Sequence, residues 1–177
     1  MANIQQLHHE YNQGYRDFSR ISLHNADLKQ SHLSGVDFSH CDLSGADLSH
    51  TDFSRSDLNS ANLTDADLTQ ADLSGTKLMG ANFIGAELSN ASLVGADLTQ
   101  ADLRMANLEG ADLRGANLTA AIVSGANFSN ANLTAACLDK TRLDEADCDG
   151  ANLGHLRAPV ANTVGDEHHR WVSWGAH

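Results

Sequence analysis

A large apolar residue recurs every five positions along most of this chain. Stepping by fives from Phe18 reaches Leu23, Leu28, Leu33, Phe38 and so on to Leu153, with no insertion. Of these 28 positions, 21 are Leu and five are Phe; the other two are Val123 and Cys148. Two residues before each, 19 of 28 are Ala, and only Arg16 and Ile21 are large. Between these columns, 20 of 28 positions are Asp or Asn. The unit reads A-(D/N)-L-x-x and runs from Arg16 to His155.

A period of five suits neither a helix, which repeats at 3.6, nor a strand, which repeats at 2. It does suit a square coil in which each pentad forms one side. The central Leu or Phe and the Ala two before it point inward, and the other three residues point outward. Four sides make a coil of 20 residues, so the repeat predicts seven coils, stacked ~4.8 Å apart and paired through their backbones. The predicted inward core includes Phe18, Phe38, Phe53, Leu68, Phe83 and Phe128.

The ends break the pattern. Ile4, Leu7 and Tyr11 recur at i, i+3 and i+7, one apolar helix face, with Asn3 able to cap its start and Gly14 its end. The spacing predicts a helix over 3–13 lying on the first coil. The division expected is a capping segment, 1–15, the repeats, 16–155, and a C-terminal cap or flexible tail, 156–177. The register is expected to fail at Arg157-Ala158-Pro159. In the tail, Trp171, Val172 and Trp174 either fold back over the last coil or remain mobile.

These units resemble those of the pentapeptide repeat proteins, over residues 16–155. The opening, from Asn3-Ile4-Gln5-Gln6-Leu7 to Phe18, is similar to the helical lead-in of cyanobacterial members, among them a regulator of heterocyst differentiation. The resemblance implies an all-β fold, a right-handed quadrilateral β-helix, here with a short N-terminal capping α-helix. It leaves the role open, since the family's functions are diverse. Some relatives act on DNA topoisomerase by presenting an acidic, DNA-like surface. This chain lacks the looped insertions and the dimerising C-terminal helix of those drug-resistance relatives.

Composition narrows the function classes. The formal net charge is −12, from 23 acidic and 11 basic residues. Such a chain is not expected to bind nucleic acid directly or to sit on an anionic membrane. No apolar run approaches a spanning helix and the N-terminus does not read as a secretory signal, so a soluble, cytoplasmic monomer is expected. Three cysteines without C-x-x-C spacing predict free thiols and no zinc site. The ten histidines scatter; the pairs His8-His9 and His168-His169 read as solvated. No nucleophile–base pair or glycine loop is found, so no enzyme activity, cofactor or metal is expected.

Two outward features are candidate partner surfaces. On the third side of the coil an acidic column reads Asp27, Asp47, Asp67, Glu87, and the whole side carries seven acids and one base. It reads either as a docking stripe for a basic partner, or as a consensus kept for its turn hydrogen bonds. On the second side, Ile84, Met105 and Ile122 are outward and apolar on successive coils, a candidate patch for an unidentified protein partner. The expected function is a rigid scaffold for protein–protein interaction, possible regulation included. The alternative is an acidic DNA mimic acting on an enzyme such as gyrase.

Overall fold

The computed structural model describes residues 4–157. Asn3, Pro159, His168, His169, Trp171, Val172 and Trp174 lie outside the described residues. Helix α1 (Ile4–Asn12) opens the chain. Its end is fixed by Gly14 at φ +97°, where Gly14 N–H donates to the Tyr11 carbonyl and Tyr15 N–H reaches back to that of Glu10. A positive φ at this position is the usual helix stop, which glycine adopts without strain.

From Asp17 onward the backbone makes parallel bridges, each joining a residue to the one twenty ahead: Asp17 to Asp37, Asp27 to Asp47, and on to Cys137 with Arg157. A step of twenty is one coil of four five-residue sides. The bridges are isolated and build no extended strand. Each side has room for one rung, because a turn occupies the rest of the pentad. The ladder also reaches Arg157, whose N–H donates to the Ala136 carbonyl at 2.9 Å, so the register persists there beyond its expected end. A rung needs only backbone groups, which the change in side chains at Arg157 does not remove.

Each turn is closed by a bond such as Ala71 N–H to the Leu68 carbonyl, 3.0 Å. The residue before its last, the fifth of the pentad, adopts a left-handed conformation. Seventeen non-glycine residues and ten glycines of the repeats hold it. For an ordinary residue this costs on the order of 1 kcal/mol, offset here by the turn bond and a ladder bond from the same residue.

The inward columns fill the coil. Phe38, Phe53, Leu68, Phe83 and Phe128 are fully buried, and Phe18, in the first coil, nearly so. Phe38 meets Phe18 and Phe53 edge to face, with centroids 6.0 and 5.9 Å apart, a preferred geometry for ring pairs. At three polar positions of the small inward column the hydroxyl finds a carbonyl on the coil before, while Ser31 in the first coil meets the His8 ring of α1 at 3.3 Å. Thr51 donates to Leu28, Ser56 to Leu33 and Thr76 to Phe53, at 2.8 to 3.1 Å. Among the described residues no buried side-chain polar atom lacks a partner.

The two ends differ. At the first coil α1 buries Leu7, and Tyr11 hydroxyl donates to the Ser34 carbonyl at 2.9 Å. Arg16 stacks 4.0 Å over the Tyr11 ring and donates to the Tyr11 carbonyl at 2.7 Å, so the large residue at the start of the repeats is a tie for the cap. At the seventh coil Leu138, Leu143 and Cys148 are only partly buried, and Leu153 is 41% exposed. Cys148 therefore packs against the core without being enclosed by it.

Replacing Leu68 by Ala should lower stability by roughly 2–5 kcal/mol, and replacing the outward neighbour Thr69 by Ala should cost under about 0.5 kcal/mol. Chemical denaturation of the two variants checks this; equal losses would contradict the inward assignment.

Candidate partner-binding surfaces

The Asp/Asn column does structural work before any other. Of the five N–H groups in a pentad, backbone carbonyls take four. In the pentad of Asp47, the Ala46 N–H closes a turn on Leu43, Asp47 donates back to Ala26, and Leu48 and His50 donate forward to Asp67 and Thr69. The fifth, on Ser49, goes to the Asp47 carboxylate at 3.1 Å. The same side-chain bond forms at Asp67, Asp72, Asp97, Asn117 and Asn132, at 2.9 to 3.1 Å. Where Lys77 replaces the Asx residue, the orphan N–H of Met79 is taken by Asn59 from the coil before, 2.8 Å away.

This bond explains the acidic column on side three. Asp27, Asp47, Asp67 and Glu87 are successive rungs. Lys29 lies between the first two carboxylates, 3.2 and 3.8 Å away. Glu87 is one carbon longer and turns instead to Asn107, whose amide donates to it at 2.9 Å. Side one stacks Asp17, Asp37 and Asp57 in the same way. The acidity thus follows the preference for Asp over Asn in the first coils as well as the choice of side. Hydrogen bonds from Ser44 and Ser49 hold Asp42 and Asp47 below the ordinary carboxylate value of 3.8. Bonds from Arg104 and Arg114 do the same for Asp102 and Asp112. Groups lowered in the folded state stabilise it above the ordinary value and lose that contribution as the pH falls through the lowered one.

The apolar residues of side two are less continuous than their spacing suggests. Met105 is 70% exposed, Ile122 47%, and Ile84 half-buried. Met105 holds a left-handed corner at φ +59°, and its sulfur lies over Gly125, 2.9 Å from where a Cβ would stand. Any larger residue at Gly125 would push it away. Between Ile84 and Ile122 in the register sits Arg104, clamped on Asp102 by three nitrogen–oxygen contacts of 2.7 to 3.1 Å. Asp102 is itself the rung before Ile122. The surface is three apolar positions interrupted by an ion pair.

The cysteines are free thiols: Cys41 is buried, while Cys137 and Cys148 are half-buried. Cys41 donates to the Phe18 carbonyl at 3.0 Å, and burial pushes its thiol up to about 11, where it is unreactive at neutral pH. Among the described residues no group of three His, Cys, Asp or Glu is placed to hold a metal, and no helix is long and apolar enough to cross a membrane.

The sequence model described as Pentapeptide repeats (8 copies) matches residues 17–55, 37–75, 76–115 and 111–147. The chain belongs to the pentapeptide repeat family. Membership carries the family fold, a right-handed quadrilateral β-helix. Among solved structures, this pentapeptide repeat protein is similar to HetL, described as a pentapeptide repeat protein involved in heterocyst differentiation regulation from the cyanobacterium Nostoc sp. strain PCC 7120. The two are 27% identical over 92% of this chain and 98% of that one, with a TM-score of 0.58. Weaker likenesses are to a pentapeptide repeat protein from the Arabidopsis thaliana thylakoid lumen, 28% identical over 76% and 83% of the chains with a TM-score of 0.38, and to QnrB1, a plasmid-mediated fluoroquinolone resistance protein, 21% identical over 82% and 84% with a TM-score of 0.41. No curated protein matches the chain significantly.

In this pentapeptide repeat protein the Asx residue should be replaceable by its amide and not by alanine. Asp72→Asn is expected to change stability by less than about 0.5 kcal/mol. Asp72→Ala, which strands the Ser74 N–H, should cost roughly 0.5–2 kcal/mol, as loss of a helix N-cap does. Thermal melts at neutral pH check it; equal losses would mean that charge, and not the turn bond, is what the position supplies.

Proposed function

We propose that this chain is a non-catalytic scaffold, a rigid right-handed rod whose outward sides two and three bind a protein partner. The observation that carries the reading is the filled interior. Every large inward residue from Phe18 to Leu133 is buried, so within the described repeats recognition falls to the outward faces. Those faces are fixed on a backbone lattice, which lowers the ordering cost of binding. The likeness to HetL, a protein involved in heterocyst differentiation regulation, supports a regulatory scaffold.

A second reading is an acidic DNA mimic. It draws on the stacked carboxylates of Asp27, Asp47, Asp67 and Glu87, which repeat along the rod. The rod of seven coils, about 34 Å, matches only about one turn of duplex. Inhibition of gyrase supercoiling by the purified protein would favour mimicry over scaffolding.

With a partner captured from the native host, the two surfaces separate by kinetics. Asp47→Asn with Asp67→Asn should lower kon and flatten its salt dependence, because exposed charges steer encounter. Ile84→Ser with Ile122→Ser should raise koff through lost apolar contact. Surface plasmon resonance at two salt concentrations reads both. Binding that ignores both pairs and responds to changes on side one or four would overturn the choice of faces.

A further inference from the structure

The two ends of the rod are finished differently. In coils two to six every large inward residue lies between two coils and is fully buried. Coil seven has a coil on one side only. Ala146, Cys148 and Ala151 are partly buried there, and Leu153 and Leu156 are exposed. Its backbone is open on the same face. In coil six the Leu133 and Ala135 N–H groups donate forward to the Asn152 and Gly154 carbonyls, at 2.8 and 2.9 Å. On sides three and four of coil seven the corresponding N–H groups belong to Cys148, Gly150, Leu153 and His155. None of them has a partner among the described residues. At the other end α1, a segment outside the repeat, does the covering: Leu7 is buried and the Tyr11 hydroxyl donates to the Ser34 carbonyl. An apolar face and a free strand edge together invite association unless something lies over them.

The chain supplies an occupant at the right place. Arg157 has turned the corner onto an eighth coil, where its N–H reaches the Ala136 carbonyl at 2.9 Å. Twenty residues follow it, 158–177, the length of one coil. They do not continue the repeat, since the positions in step with Leu153 are Ala158, Thr163, His168 and Ser173. They do carry both tryptophans of the protein, Trp171 and Trp174, together with Val172. The stretch from Arg157 to Trp171 can span ~40 Å when extended, far more than crossing the end of one coil requires. Charge fits as well. Coil seven (136–155) holds five acidic and two basic residues. Arg142 pairs with Asp144 and Glu145, which leaves Asp147 and Asp149 of side three with no ion pair among the described residues. Arg170 immediately precedes Trp171, so a cation and an indole arrive together.

We infer that the open end of coil seven is a docking face for residues 158–177 of the same chain. An indole of the Trp171–Trp174 stretch covers Leu153 and Cys148, and Arg170 meets Asp147 and Asp149 at the rim of side three. The apolar contact supplies the affinity, and the rim charges set the direction of approach. Because the segment is tethered, its effective concentration at the face exceeds that of a second copy in solution. This contact is separate from the outward surfaces of sides two and three and does not rest on the scaffold reading.

Both tryptophans lie in the segment, so the fluorescence of the full chain reads it alone. The emission of the native protein should lie at shorter wavelength than in urea, and acrylamide should quench it less than it quenches N-acetyltryptophanamide. Leu153→Asp should move the native emission to the urea value while the circular dichroism of the rod holds. Cys148 gives a second readout that leaves the repeats unaltered. Trp171→Ser with Trp174→Ser should raise its alkylation rate roughly tenfold, as loss of a locally docked segment does. Peptide mass spectrometry reads this against Cys137, whose rate should stay the same. Native emission equal to that in urea, emission indifferent to Leu153→Asp, or equal Cys148 rates in the full chain and the double variant would each overturn the cap. Emission that shifts with protein concentration, alongside a doubled mass by light scattering, would place the tryptophans on a second copy and overturn it too.

Discussion

Everything in this rod depends on finding a partner for each backbone N–H in a coil too tight for ordinary strands. Turns and the ladder satisfy four of five in every regular pentad. The fifth points where no carbonyl is available, and a short side-chain acceptor two residues earlier meets it. Asp and Asn have the right length. Glu87 is too long and makes other bonds. The inward columns then follow from space: one large apolar residue and one small one per side fill a square of this size at the density of a protein interior.

The same requirement shapes the surface. An acceptor column on every side gives the chain its polarity, and the use of Asp in the early coils gives it much of its charge of −12. The net charge is thus partly a by-product of folding, and its use in recognition is an addition to a role the residues already have. Positions released from the Asx bond are the informative ones. Lys77, Ile122, Cys137 and Arg142 are among the eight that depart from the column, and between Ile122 and Arg142 the rung is missing.

The period of five, the inward columns and the family were legible in the sequence because each rests on a repeated local rule. Phe38 and Leu68 are buried as their spacing requires. The break at Arg142 was not legible from the apolar column, since Leu143 keeps its place in the register while the turn beside it changes hand. The rung is missing beside the 3₁₀ turn Leu143–Glu145, whereas Cys137 and Arg157, equally without Asx, still pair. The interruption of the Ile84–Ile122 surface was hidden for a related reason. The spacing shows that Arg104 is outward, but its clamp on Asp102 is a side-chain geometry. The rung at Arg157 lay beyond the pattern because a ladder bond carries no side-chain signature.

Native-state hydrogen exchange tests the central claim most directly, because it reads the fifth N–H itself. The account predicts protection at Thr69, Ser74 and Thr99, whose amides are held by Asp67, Asp72 and Asp97. It predicts faster exchange at Ser89 and Val94, which follow Glu87 and Ser92 at the same place in the turn. Equal exchange across these five amides would show that the Asp/Asn bond is not what closes the pentad.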